Sequence, residues 1–150
     1  MISQTRRQLL ASATLLISAP VFAAEDEIYT SFFSNHGAGG YDVVAYFTDD
    51  KPVKGNDNYS AKYKDAEWRF SSQENLDKFK QNPDKYAPQY GGYCAWAVAE
   101  GSTASGDPLQ WSVVNDKLYL NYDAEIQAKW ASDRDNLIVI GDKNWPEVLN

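Results

Sequence analysis

One cysteine, Cys94, and one histidine, His36, are the residues whose types could do chemistry, singly or as a pair. A thiolate is a soft ligand suited to Cu(I) or Zn(II) and a good nucleophile. The neighbours of Cys94 are small or aromatic (Gly92, Tyr93, Ala95, Trp96), and no Lys, Arg or His stands close in sequence to lower its pKa. The same surroundings suit a buried, inert thiol acting as a small hydrophobe. Any Cys/His metal pair or catalytic dyad must use His36, which sits in the Gly-rich run from Asn35 to Gly40. Such a loop can fold over the domain or leave its imidazole in solvent. A thiol hydrolase would also need an orienting Asn or Asp, and one Cys and one His among many Asn and Asp give that reading little support. No catalysis is expected.

Around this pair stand groups that could complete a mixed site or merely hold turns: Asp42, Gln89 and Asp107, the last beside Pro108 and so best read as a turn former. Tyr41, Tyr46, Tyr90, Tyr93 and Trp96 suit ring packing around the Cys94 segment, and would line a pocket if one exists.

The elements that must position these groups follow from pattern. Glu25 to Gly40 reads as an ordered lead-in or loop, and Tyr41 to Phe47 as a β-prone run closed by Asp49-Asp50-Lys51-Pro52. Tyr59 to Tyr63 and Trp68 to Phe70 flank Lys64-Asp65, which predicts a hairpin. Ser71 with Glu74 has capping-box spacing and predicts a helix from about Ser72 to Gln81, ended by Asn82-Pro83. Asp84 to Tyr90 reads as a short helical or turn segment, Cys94 to Ala99 as a buried apolar one, and Gly101 to Pro108 as a loop. Trp111 to Val114 and Lys117 to Asn121 flank Asn115-Asp116, a second hairpin signal. Asp123 caps a helix carrying Ile126 and Trp130, and Asp135 to Trp145 is a further apolar segment. No internal repeat or linker is evident. The order predicts one small α+β domain of antiparallel β-hairpins packed against several short helices.

The N-terminus carries Arg6 and Arg7, an apolar run from Leu9 to Ile17, and Pro20-Val21-Phe22-Ala23-Ala24. These are the parts of a secretory signal occupying residues 1–23, with cleavage near Ala23 and the domain at 24–150. Thr5-Arg6-Arg7-Gln8-Leu9-Leu10 resembles the twin-arginine export motif. The apolar run is too short for a span of roughly 20 residues, so no membrane anchor is expected in the mature chain. A periplasmic or secreted location follows. Removing residues 1–23 takes away two Arg and no acid, so the net charge moves from −7 to −9. No nucleic-acid partner is expected on that charge. With 5 Trp and 10 Tyr the core should be ring-rich, and 1 Cys allows no internal disulfide.

The strings Gly40-Tyr41-Asp42-Val43-Val44-Ala45-Tyr46-Phe47, Trp68-Arg69-Phe70-Ser71-Ser72 with Asn75 and Phe79, and Asn82-Pro83-Asp84-Lys85-Tyr86-Ala87-Pro88-Gln89-Tyr90-Gly91-Gly92-Tyr93-Cys94-Ala95 resemble the YHS domain family. Gly106-Asp107-Pro108, Trp111, Lys117 to Asn121, Trp130 and Asn144-Trp145-Pro146 extend the resemblance to exported members, covering about 40–146. The resemblance implies metal binding, with copper the metal of the family's context. Members with clear ligands carry Cys about where Ser71 and Asn75 stand here, so the thiol-rich site is absent. What remains is a metal ion, copper foremost, on Cys94 with His36 or a nearby oxygen or aromatic group. The alternative is a non-catalytic module binding a small ligand or a protein through the aromatic surface around Tyr90 to Trp96, with Cys94 structural.

Overall fold

The computed structural model describes residues 10–20 and 23–150. Arg6, Arg7, Val21 and Phe22 of the expected export segment lie outside the described residues, and Leu10 to Pro20 carry neither helix nor strand. Among the described residues no helix is long and apolar enough to cross a membrane.

Two antiparallel hairpins carry the fold, a small α+β domain. β1 (Asn56–Tyr63) pairs with β2 (Ala66–Phe70), and β3 (Asp107–Val114) with β4 (Lys117–Asn121). Both turns use two consecutive residues in the left-handed region, Lys64 and Asp65 (φ 49° and 62°) and Asn115 and Asp116 (φ 51° and 59°). That is the backbone a two-residue hairpin needs to match strand twist, and Asn and Asp adopt it at low cost. Among the described residues the six α-helices are α1 (Ala45–Thr48), α2 (Gln73–Gln81), α3 (Pro83–Tyr86), α4 (Ala95–Ala99), α5 (Ala124–Ser132) and α6 (Arg134–Asn144).

Three expectations are corrected. The β-prone run Tyr41 to Phe47 forms no strand: Tyr41 makes one isolated bridge to Lys54, and the chain then turns into α1. The Asp42 carboxylate accepts the Val44 and Ala45 N–H groups and holds that turn against the β preference of two valines. The cap of α2 is Ser72, which accepts from Asn75 N, one residue beyond the expected Ser71. The loop expected to reach Pro108 ends at Gly106, where β3 begins.

A fourth correction concerns repetition, which the backbone carries although the sequence hides it. The 3₁₀ turn Gly37–Gly40 recurs as Gln89–Gly92, with Ala38, Gly39 and Gly40 at φ 49°, 60° and 83° matched by Tyr90, Gly91 and Gly92 at 57°, 62° and 89°. Each turn is followed by a tyrosine, a short helix and a hairpin of the same strand lengths, whose register shifts at the same place (Asn56/Ser60 and Asp107/Trp111). Each hairpin is followed by a capped nine-residue helix, Ser72 accepting from Asn75 N and Asp123 from Ile126 N, and then by a second helix. The domain is thus two structural repeats of one unit. Gly55 and Gly106, which precede the two hairpins, both need glycine: a Cβ would stand 2.4 Å from Arg69 backbone at the first and 2.1 Å from Gly92 O at the second.

β4 joins the repeats. Leu118 and Leu120 pack with Val43, Val44, Trp68, Phe70 and Phe79 of the first core. Tyr119, on the opposite face of the strand, packs with Val98 and Trp130 of the second. The lead-in Glu25 to Tyr29 lies along the second repeat: Glu25 N donates to Leu149 O (2.8 Å), Tyr29 N to Gly91 O (2.9 Å), and Tyr93 Oη to Asp26 O (2.8 Å).

Candidate functional site

Cys94 caps α4 and is 1% exposed. Its thiol lies 3.5 Å from Asn121 Oδ1, which also accepts the Trp96 N–H (3.0 Å). Asn121 is held in turn by Gln127 Oε1 (2.7 Å), and Gln127 donates to Trp111 O and Ser112 Oγ. Burial pushes the Cys94 thiol up and outweighs the N–H groups of Ala97, Tyr122 and Trp96, which pull the other way. A protonated, enclosed thiol is a poor ligand and a poor nucleophile.

His36 goes elsewhere. Its backbone bridges to Glu67 on β2, and its Nε2 lies 3.5 Å from Glu67 Oε2. The imidazole thus belongs to the edge of the first hairpin, whereas Cys94 belongs to the end of the second. Among the described residues no three of His, Cys, Asp and Glu are grouped so as to hold a metal ion.

Asp42 is fully buried and accepts five hydrogen bonds. Oδ1 takes Val44 N (3.0 Å) and Ala45 N (3.3 Å); Oδ2 takes Ser71 N (2.9 Å), Ser71 Oγ (2.6 Å) and Asn75 Nδ2 (2.8 Å). Ser71 and Asn75, the positions where the resemblance puts thiolates, therefore converge on a carboxylate that already holds its full set of donors. Asp107 holds a turn as expected, accepting from Leu109 N.

The aromatic candidates divide. Tyr46 is a core residue whose hydroxyl donates to Pro108 O (2.7 Å), with burial driving its pKa far above the ordinary phenol value. Tyr93 packs between Tyr29 (5.4 Å) and Trp145 (6.1 Å), and its pKa is pushed up to about 12 by burial and then by Glu25 and Asp26. Trp96 is half-buried against the second core. Of the expected pocket residues, Tyr93 lines a cleft beside the lead-in. Tyr90 reaches a different cleft, where its hydroxyl donates to Asp142 Oδ1 (2.8 Å).

That cleft, of about 450 Å³, runs between the repeats. The first contributes Tyr63, Lys64 and Asp84, the second Tyr90, Lys117, Asp142 and Trp145, and the lead-in contributes Glu27. Lys64 is paired with Glu27 (2.5 Å), and the Tyr63 hydroxyl donates to Asp84. Sequence reasoning named Gln89 and Tyr90 of this lining as candidate site residues and missed the rest as site residues, because five separate stretches of chain supply the walls and only the fold brings them together. Tyr63 and Lys64 were visible only as a hairpin end.

The family comparison bears on the first repeat. Residues 44–90 match the family model of the YHS domain. No curated protein and no solved structure matches the chain. The YHS match begins at α1 and stops at Tyr90, inside the 3₁₀ turn that opens the second repeat. The metal that a YHS resemblance implies does not fit the residues present, since the thiol is enclosed and protonated, His36 is committed to Glu67, and Asp42 is saturated.

Proposed function

We propose that this chain is a non-catalytic binding module whose ligand occupies the cleft between the two repeats. The observation that carries the reading is the cleft itself, about 450 Å³ with ring walls and charged groups from both repeats, while Cys94, His36 and Asp42 are committed to other partners. A volume of this order, at a seam between structural units, is where small-molecule sites form. Export to the periplasm, with processing near Ala23, is part of the same proposal, and burial of Cys94 would keep an unpaired thiol from oxidation there. Amide shifts of the labelled protein against a small-molecule panel test the reading: saturable shifts clustered at Lys64, Gln89 to Gly91 and Lys117 support it, and binders that leave these amides unmoved defeat it.

The YHS match favours one second reading, because YHS domains are associated with metal binding, copper included. On that reading Cys94 carries Cu(I). Competition for Cu(I) between the reduced protein and a colorimetric chelator separates the two: a tight site lost in Cys94→Ala establishes the metal reading, and equal weak binding by both proteins ends it.

A further inference from the structure

Resting on the cleft reading, we propose that the cleft selects organic cations, an amine or guanidinium borne on a small apolar or aromatic body. The charges in the cleft are unequally committed. Lys64 is neutralised by Glu27 at 2.5 Å. Among the described residues Asp84 and Asp142 hold only neutral donors, the hydroxyls of Tyr63 and Tyr90, and neither forms an ion pair. Lys117 is the one opposing cation and forms no ion pair among the described residues. The lining as a whole carries three carboxylates against two ammonium groups.

Rings complete the chemistry. Tyr90 and Trp145 lie with centroids 5.9 Å apart on one wall, and Tyr63 stands on another. A cation over such faces gains roughly 0.5–2 kcal/mol depending on how dry the site is. The cleft already shows the arrangement in miniature: the Lys64 ammonium sits 5.4 Å above the Tyr63 ring with Glu27 against it. A ligand cation between Asp84 and Asp142 would repeat that ring-and-carboxylate pairing. The net charge of −7 on the whole chain also raises the local concentration of cations and lowers that of anions. Lys117 disfavours a second positive charge at its end, so a monocation, or a zwitterion that offers it a carboxylate, fits better than a polyamine.

The test uses a matched pair of probes, phenethylamine and 3-phenylpropionate, titrated into the isotopically labelled full protein. The expected result is saturable movement of the Tyr63, Lys64 and Gln89 to Gly91 amides by the amine alone, weakening as salt is raised. Asp142→Asn and Asp84→Asn, both at exposed positions where an amide still accepts the tyrosine hydroxyl, should each weaken binding roughly three- to fivefold with the amide spectrum otherwise retained. Preferential binding of the propionate at the same amides overturns the charge selection and leaves the cleft standing as a site. If neither probe moves these amides, while the small-molecule panel finds binders that do, the ligand class is wrong. If nothing in the panel moves them, the cleft reading falls and this proposal with it.

Discussion

Cys94 stands in the second repeat where Asp42 stands in the first. Asp42 N donates to Val53 O (2.8 Å) and Cys94 N to Ala104 O (2.9 Å), one residue before the matching glycines' neighbours Lys54 and Ser105, which bridge to Tyr41 and Tyr93. The Asp42 carboxylate is held by the N–H groups of Val44, Ala45 and Ser71, and the Cys94 sulfur faces those of Trp96, Ala97 and Tyr122, their counterparts. One nest of donors therefore serves an anion in one repeat and a neutral thiol in the other. In the second, Asn121 Oδ1 takes over the acceptor duty at Trp96 N that Asp42 Oδ1 performs at Val44 N.

Asp42→Ala should destabilise the fold by about 3 kcal/mol, because it strands the donors at the start of α1 and those of Ser71 and Asn75 together. Asp42→Asn keeps one accepting oxygen but turns an amide NH₂ toward donors, so a smaller loss of about 1–2 kcal/mol is expected. Urea midpoints with unchanged slope measure both. Equal stability of Asp42→Ala and the parent would refute the idea that this carboxylate organises the first repeat.

The shared nest makes Cys94→Asp informative. Burying an unpaired charge in place of a thiol normally costs several kcal/mol. Here the N–H groups of Ala97 and Tyr122 face it, with that of Trp96 shared with Asn121 Oδ1, and the loss should stay at about 1–2 kcal/mol, with Asn121 Oδ1 the group that opposes the new charge. Failure of the variant to fold, or a loss of 4 kcal/mol or more by the same order of estimate, would show that the two nests are not equivalent.

The hairpins and the α5 cap were legible because their determinants are local: two turn residues between alternating segments, and Asp123 three positions before Ile126 N. The cap of α2 was misplaced by one residue for a distant cause, since Asp42 claims the Ser71 hydroxyl and leaves the capping to Ser72. The same carboxylate turned a β-prone run into α1. The repeat was illegible because backbone angles and strand lengths carry it, while side chains differ at most matching positions: Phe70 and Asn121, Trp68 and Tyr119, Asn75 and Ile126. Cys94 and His36 drew attention by rarity, and rarity says nothing about proximity. Of the cleft, Gln89 and Tyr90 alone were marked in the sequence as site candidates, because its walls are assembled only when the repeats meet.

Alkaline pH should destabilise the protein more steeply than its acidic composition suggests. Burial, then nearby carboxylates, pushes Tyr93 up to about 12, and burial with Asp142 pushes Tyr119 up to about 12, with Tyr46 and Tyr90 raised further. Each folded value lies above the ordinary phenol value of about 10, so the neutral form is the one the fold holds. The stability involved is intact below about pH 10 and is lost as pH rises toward and through about 12, because the unfolded chain sheds those protons first. Each such tyrosine contributes a fall of up to about 1.4 kcal/mol per pH unit in that window. Phenolate absorbance should rise together with unfolding, and normal titration of all ten tyrosines near pH 10 in the folded protein would contradict the burial account.

Trp130 offers a test of the repeat through its counterpart, Phe79. Both are fully or almost fully buried on the inner face of the nine-residue helix, Trp130 against Tyr119 at 5.2 Å and Phe79 against Trp68 at 5.4 Å. Trp130 Nε1 is buried without a hydrogen-bond partner among the described residues. An unmet donor of this kind costs about 1–3 kcal/mol, which works against what the larger ring gains by packing. Trp130→Phe gives the second repeat the residue of the first and removes the donor, while leaving some unfilled volume. These two effects oppose each other at similar size, so the change should be within about 1 kcal/mol of neutral, whereas Trp130→Ala should cost about 3–5 kcal/mol. Thermal and urea unfolding of the two variants decide it. A Trp130→Phe loss as large as that of Trp130→Ala would mean that the indole is specifically required and that the two helices do not present equivalent faces to the core.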